Sequence, residues 1–320
     1  MSGVAYRLKD LVSFNRYILR EGLVLDFDVF TTDASNPQIR SIRKGTPITS
    51  EVEKYASTNS ALKLFIRPED VVAYRLILES IADDEDSRSS VSGLFRDAAY
   101  MQLIRETYTE ALGSGDTPSI YESARINAER MIRWFQLDTP LRSVLDVLEN
   151  ASTWQNVAIN TATVCAYFAF ALGAKGESLL ELTCGALLAD IGYLDVDASA
   201  LQSFMSPSIE EIRKLDAHPL RGLKRLASVE GASWTKMMMV YQHHERLDGR
   251  GFPVGVPGDQ ISDAAKMYTV IDRFMSLGGN RHPLTYSDIH EAIVNLEEEI
   301  GTKVSKEHFQ CWKSIAQTAL

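Results

Sequence analysis

The stretch Tyr241-Gln242-His243-His244-Glu245-Arg246-Leu247-Asp248-Gly249-Arg250-Gly251-Phe252-Pro253 decides how this chain is read. Two adjacent histidines close an apolar segment, and Gly249, Gly251 and Pro253 follow within a few residues. Glycine admits backbone conformations that other residues avoid, and proline fixes φ. The stretch therefore reads as a helix carrying a histidine pair that runs straight into a rigid turn. Neutral imidazole is the commonest metal ligand among side chains. A histidine pair alone is more often structural or exposed, but with the backbone pinned by such a turn, neighbouring rings can serve one ion. Met237-Met238-Met239 precedes the pair by one helical turn and reads as core filler.

The string from His243 to Pro253 resembles the HHExxDGxGYP signature of HD-GYP domains. In that family a helical HD fold holds two or three iron or manganese ions, and the enzymes hydrolyse cyclic di-GMP. The resemblance covers roughly Arg142 to Leu320 and is silent on residues 1–85.

The resemblance implies a site. Ala189-Asp190-Ile191-Gly192-Tyr193 stands where the family has HDxGK. Asp190 is kept and would be the catalytic carboxylate that bridges the metals. The histidine of that motif is Ala189, without a ligand atom, and its lysine is Tyr193, so the ammonium contact to a substrate phosphate is missing. His218, in Ala217-His218-Pro219, matches the next family histidine, and Asp272 matches the aspartate beyond the GYP segment. The first family histidine falls on Val157 and the carboxylate one turn before it on Thr153; a gapped placement on Glu149 is discounted. For substrate binding, the implied residues are Arg250, Gly251 and Phe252 in the turn, together with Arg281. Phe252 keeps the ring of the family tyrosine but not its hydroxyl, and the second family arginine falls on Leu284.

Sorted by metal, the losses are one-sided. One ion would have Asp190, His218, His243 and His244. Three nitrogen donors and one oxygen suit zinc, iron or manganese by ligand count, with iron or manganese favoured by the resemblance. A second ion would have only Asp190 and Asp272 and would be weak. Hydrolysis of a phosphodiester by paired metals needs an activated water and a clamp on the phosphate. Three readings stay open. The leading one is a divergent HD-GYP protein of cyclic di-GMP signalling that binds a nucleotide or a protein partner through one retained metal site, with weak or no hydrolysis. The second is an active, unconventional metal-dependent cyclic di-GMP phosphodiesterase. The third is an interaction protein that binds neither. The partners implied are cyclic di-GMP or a related cyclic dinucleotide and a signalling protein.

The rest of the chain sets limits. At 320 residues it is long for one domain of about 100–200 residues. A formal charge of −10 excludes a broad nucleic-acid surface, which needs clustered Lys and Arg. Cys165, Cys184 and Cys311 form no CxxC pair, the opening MSGVAYRLKD lacks a secretory pattern, and no apolar run is long enough to span a bilayer. A cytoplasmic protein without a membrane span is expected. Cys184 is expected to be buried and inert, and His282, His290 and His308 to be no ligands.

Alternation over Leu23–Phe30 predicts one strand and Ala61–Ile66 another, and Pro68-Glu69-Asp70 opens a helix to Ile81. Residues 83–90 read as a polar loop. Helices follow over 90–112, ending at Gly113-Ser114-Gly115, over 119–135 and from Pro140 on, with no strand pattern beyond. Asp146 and Glu297-Glu298-Glu299 read as solvated helix faces. The expected fold is mostly α: a small N-terminal α/β module (1–85), a helical connector (86–139) and the HD-GYP helical domain (140–320).

Overall fold

Among the described residues, fourteen buried ring and branched aliphatic side chains between Phe14 and Ile81 have to be covered by short elements, and the chain does this with a four-stranded antiparallel sheet. The computed structural model describes residues 11–31, 41–59, 62–82, 90–149, 152–202, 206–279 and 284–320. Strands β1 (Val12–Phe14), β2 (Val29–Thr31), β3 (Ser41–Ile42) and β4 (Leu64–Ile66) run in the order β1-β4-β2-β3. Val12 pairs with Ile66, Phe30 with Phe65 and Val29 with Ile42. Helices α1 (Ser50–Thr58) and α2 (Val71–Ala82) complete this unit. Phe14 packs on Tyr74 at 4.7 Å between ring centroids, with Phe27 edge-on to both.

The predicted strand over Leu23–Phe30 is corrected to Val29–Thr31. Its alternation is real, since Leu25, Phe27 and Val29 are buried, but the ladder stops early. Val24 meets Pro47 only in an isolated bridge, and proline has no N–H to carry a ladder on. Helix α1 carries too thin an apolar stripe to be seen in advance, because only Ala56 is buried in it; Thr49 accepts from the Val52 N–H to start it. The helix predicted from Pro68 is present as a 3-10 turn, Pro68–Asp70, leading into α2. The loop expected at 83–89 lies outside the described residues.

The chain divides into two compact units, 1–103 and 104–320, with the boundary inside α3 (Ser90–Ser114). The second unit is helical as expected: α4 (Thr117–Phe135), α5 (Leu141–Asp146), α6 (Trp154–Ala171), α7 (Gly176–Leu188), α8 (Ala198–Gln202), α9 (Ile209–Leu215), α10 (His218–Leu226), α11 (Trp234–Gln242), α12 (Asp263–Phe274), α13 (Tyr286–Glu297) and α14 (Lys306–Ala316). Among its described residues the only strand-like pairing is the bridge between Ile300 and Val304. Helix α6 is buried along most of its length, which is the pattern of a central helix. It packs against α4, α7, α12 and α14, and its Phe168 lies 5.5 Å from Trp312. No helix among the described residues is long and apolar enough to cross a membrane.

Helix ends then meet at one place. Asp190 follows the end of α7, His218 opens α10, and His243 and His244 follow α11. The 3-10 turn Ile191–Asp195 lies directly on α10, and only glycine allows the approach. A Cβ at Gly192 would stand 1.9 Å from the His218 carbonyl oxygen and 2.6 Å from the Gly222 nitrogen. Gly192→Ala is therefore expected to cost about 1–3 kcal/mol, read from the midpoint of chemical denaturation. An unchanged midpoint would mean that the turn is free to move away from α10.

Candidate metal centre

Asp190, His218, His243 and His244 each offer one ligand atom, and the four atoms lie within 4.8 Å of one another. The His218 Nε2 is 3.3 Å from an Asp190 carboxylate oxygen, and the His243 Nε2 is 3.7 Å from the same atom. The two Nε2 atoms are 3.1 Å apart. On the far side of each ring, backbone carbonyls at helix ends take the other nitrogen. The His218 Nδ1 lies 2.8 Å from the Leu215 oxygen, and the His243 Nδ1 lies 2.9 Å from the Val240 oxygen. Thr269, on α12, donates its hydroxyl to the His243 carbonyl at 2.9 Å.

These contacts test whether a cation fits. A carbonyl only accepts, so each ring donates from Nδ1 and, when neutral, presents a bare lone pair at Nε2. Two such lone pairs face each other and a carboxylate, in a site where His218 and His243 are each 1 % exposed. Three converging acceptors without a donor are unfavourable in a buried place unless a cation lies between them. A divalent metal would satisfy all three, and His244 would be the fourth residue to hold it. Carbonyl partners behind ligand histidines are the outer-shell arrangement that fixes the tautomer in metal sites. Such an ion supplies Lewis acidity toward water or a phosphoryl oxygen.

The titration directions agree with this crowding. An imidazole here can donate to Asp190 only by carrying a second proton, on Nε2. Burial alone would raise Asp190, but hydrogen bonds from His218 and His243 so protonated outweigh it and hold the carboxyl well below its ordinary range. Burial lowers His218 despite Asp190. For His243 burial also opposes the charge, but the bond to Asp190 prevails and the imidazole rises. His244 is pushed well down by burial and by the two neighbouring rings. Asp272 is raised to about 6 by burial, with the Asp190 charge adding to it.

The remaining predicted residues separate clearly. Asp272 on α12 stands 3.9 Å from the His244 Nδ1 and is not one of the four atoms that converge. Phe252 stacks on the His244 ring at 4.7 Å. Gly251 sits where a Cβ would come within 2.5 Å of the Glu245 backbone. Arg250 is exposed, and its N–H donates to Asp248 at 3.1 Å. Arg281 lies outside the described residues. Ala189 is fully buried, and Glu149, the discounted gapped position, pairs with Arg105 at 3.3 Å. His308 lies away from the cluster, against Ser305 and Asp263, and Cys184 is buried, its thiol pushed up to about 12 by burial.

Two acidic roles were missed. Glu245 is 1 % exposed, and its carboxylate accepts from the backbone N–H groups of Val254, Gly255 and Val256 at 2.9–3.2 Å. The glutamate that follows the histidine pair is thus the anchor of the glycine-rich turn. Its place between ligand pair and turn was the available signal. Glu299 is not a solvated face: its side chain is 13 % exposed and takes two bonds of 2.7 Å from Arg273, the neighbour of Asp272, and another from Lys303. Burial raises its carboxyl, but those cations prevail and hold it low. A carboxyl lowered by folding adds stability above its unfolded pKa and loses it as pH falls through the folded one. Glu299→Gln should accordingly lower the melting temperature at pH 7, with the gap to wild type closing in acid; a gap that is constant with pH would mean the charge is not what matters.

The fold and the site together define a helical domain with a histidine-aspartate cluster able to hold a metal ion. Comparison with known proteins places it. The HD domain family matches residues 136–306. A 3'3'-cGAMP-specific phosphodiesterase of Vibrio cholerae is 34% identical over 151 residues, which are 44% of this chain and 31% of that protein. A cyclic di-GMP phosphodiesterase of Pseudomonas aeruginosa is 23% identical over 218 residues, 67% of this chain and 49% of that one. The match therefore spans half or less of these curated relatives. An HDG"Y"P protein of Bdellovibrio bacteriovorus has the same fold, with a TM-score of 0.66 at 19% identity over 96% of this chain and 100% of its own. This chain belongs to the HD-domain family and is a member of its HD-GYP branch.

Proposed function

We propose that this chain binds a cyclic dinucleotide, cyclic di-GMP or a close relative, beside a one-metal centre of Asp190, His218, His243 and His244, and hydrolyses it slowly or not at all. The observation that carries this reading is the asymmetry of the site. Four donor atoms converge within 4.8 Å, whereas Asp272 lies outside that group, 3.9 Å from His244, and Ala189 brings no ligand atom. The names of the relatives support the ligand class. Iron or manganese is the metal proposed, and zinc fits the same donors. Within this reading Phe252 offers an aromatic face beside the metal, while Arg250 and Arg281 supply charge for phosphate.

A phosphodiesterase that works with this reduced set is the second reading, favoured by the completeness of the quartet. Protein loaded anaerobically with iron or manganese, mixed with cyclic di-GMP, separates the two. Retention of intact nucleotide by wild type, lost in His244→Ala, is the expected result. Linear or mononucleotide product that vanishes in His244→Ala would establish the enzyme instead. Neither binding nor turnover would remove the nucleotide from the proposal.

A further inference from the structure

Tyr193 occupies the position at which the resembling motif carries lysine, and its surroundings give it a different task. Its ring lies flat on the His218 imidazole, at 4.1 Å between centroids and 22° between planes. From another side, Trp154 at the start of α6 holds the same ring at 5.5 Å. Tyr193 is 8 % exposed, so the stack is closed to water. Its backbone is equally constrained, because the Tyr193 N–H donates to the Asp190 carbonyl at 3.0 Å and the adjacent Gly192 touches the His218 backbone. One short turn thus carries a ligand, Asp190, and a flat surface that faces another ligand, His218.

We infer that Tyr193 is a positioning residue of the metal centre, whose ring, backed by Trp154, holds the His218 imidazole in the plane that aims Nε2 at Asp190. A single hydrogen bond from Nδ1 to the Leu215 carbonyl sets the tautomer but leaves rotation about that bond as a soft motion. A stacked ring removes it, because tilting the imidazole would drive it into the tyrosine face. A lysine has no such face and would leave this side of the imidazole without a ring stacked on it. The exchange of lysine for tyrosine removes an ammonium and supplies a rigid wall behind a metal ligand. This inference rests on the one-metal reading.

The test uses the full chain and Co(II) as the probe. Affinity is measured by competition with a chelator, and coordination by the visible absorption of the bound ion. Long-range proton–nitrogen NMR of the imidazoles reports the tautomer and mobility of His218. Tyr193→Phe keeps the ring and is expected to match wild type in affinity and spectrum. Tyr193→Leu is expected to bind Co(II) about 10–100-fold more weakly, the usual effect of losing a partner behind a ligand, with an altered spectrum and a mobile His218 signal. Wild-type affinity in Tyr193→Leu would overturn the inference, since the Leu215 carbonyl would then suffice. An equal loss in Tyr193→Phe would also overturn it, by assigning the effect to the hydroxyl. Should Tyr193→Leu fail to fold, Tyr193→Phe decides: unchanged spectrum and affinity support the ring, and a loss refutes it. A wild-type chain that takes up no Co(II) would overturn the one-metal reading and the inference with it, an outcome distinct from those above.

Discussion

Glu245→Ala is expected to destabilise the 104–320 unit by about 3–4 kcal/mol and to weaken metal binding at the same time. The carboxylate is 1 % exposed and gathers the N–H groups of Val254, Gly255 and Val256 at 2.9–3.2 Å. Hydrogen bonds to a charged acceptor are worth more than neutral ones, and deleting the acceptor strands three backbone donors at once. The effect reaches the metal because the anchored loop returns to the ligands: the Phe252 N–H donates to the His244 carbonyl at 3.2 Å, and the Phe252 ring stacks on His244. Glu245→Gln should fall between wild type and alanine, since one amide oxygen still accepts while the NH₂ faces donors. Denaturant midpoints and Co(II) titration measure both effects. A wild-type midpoint in Glu245→Ala would show that the glycines hold the turn unaided. A lowered midpoint with unaltered metal affinity would separate the loop from the centre.

The resemblance to the HD-GYP signature named the quartet, and each of its members stands beside a glycine or proline that marks a helix end. Asp190 precedes Gly192, His218 precedes Pro219, and His243-His244 precedes the glycine-rich turn. What the residues did not carry was which atoms would do the holding. The carbonyls of Leu215 and Val240 behind the imidazoles belong to the backbone and leave no trace in side-chain identity. Glu299 read as solvated because a run of acids usually is. Its partner Arg273 lies 26 residues away, on α12, and only the packing brings them together. The N-terminal sheet was half legible. Strands of two or three residues are too short for alternation to declare them, and β1 and β3 gave no signal for that reason. Tyr193 read as the loss of a contact. Its stacking on His218 depends on a turn locked by the close approach of Gly192 to α10, a three-dimensional fact.

His243→Ala is expected to abolish the response of the protein to metal. In wild type, an ion at 100 times its dissociation constant should stabilise the fold by about 2.7 kcal/mol. For a unit of this size that is a rise of roughly 5–10 °C in melting temperature. Removing His243 deletes one of the four converging donors and the backbone-oriented Nε2 that faces both His218 and Asp190. What is left is one buried carboxylate and two rings, of which only His218 keeps a carbonyl behind it, so the metal-induced rise should vanish. His308→Ala is the matched control. That ring sits against Ser305 and Asp263, outside the cluster, and its loss should leave the rise intact. The response should also depend on pH in a definite sense. A proton competes for the same lone pairs as the metal, and Asp190 raises the His243 imidazole, so apparent affinity should fall as the solution is acidified through that range. Without metal, His243 alone among the three rings runs the opposite way: a raised histidine contributes stability that is full below its unfolded pKa and lost as pH rises through the folded one, whereas the lowered His218 and His244 oppose folding as pH falls. A metal-induced rise that persists in His243→Ala, or that does not vary between pH 6 and 8, would mean that the ion binds elsewhere.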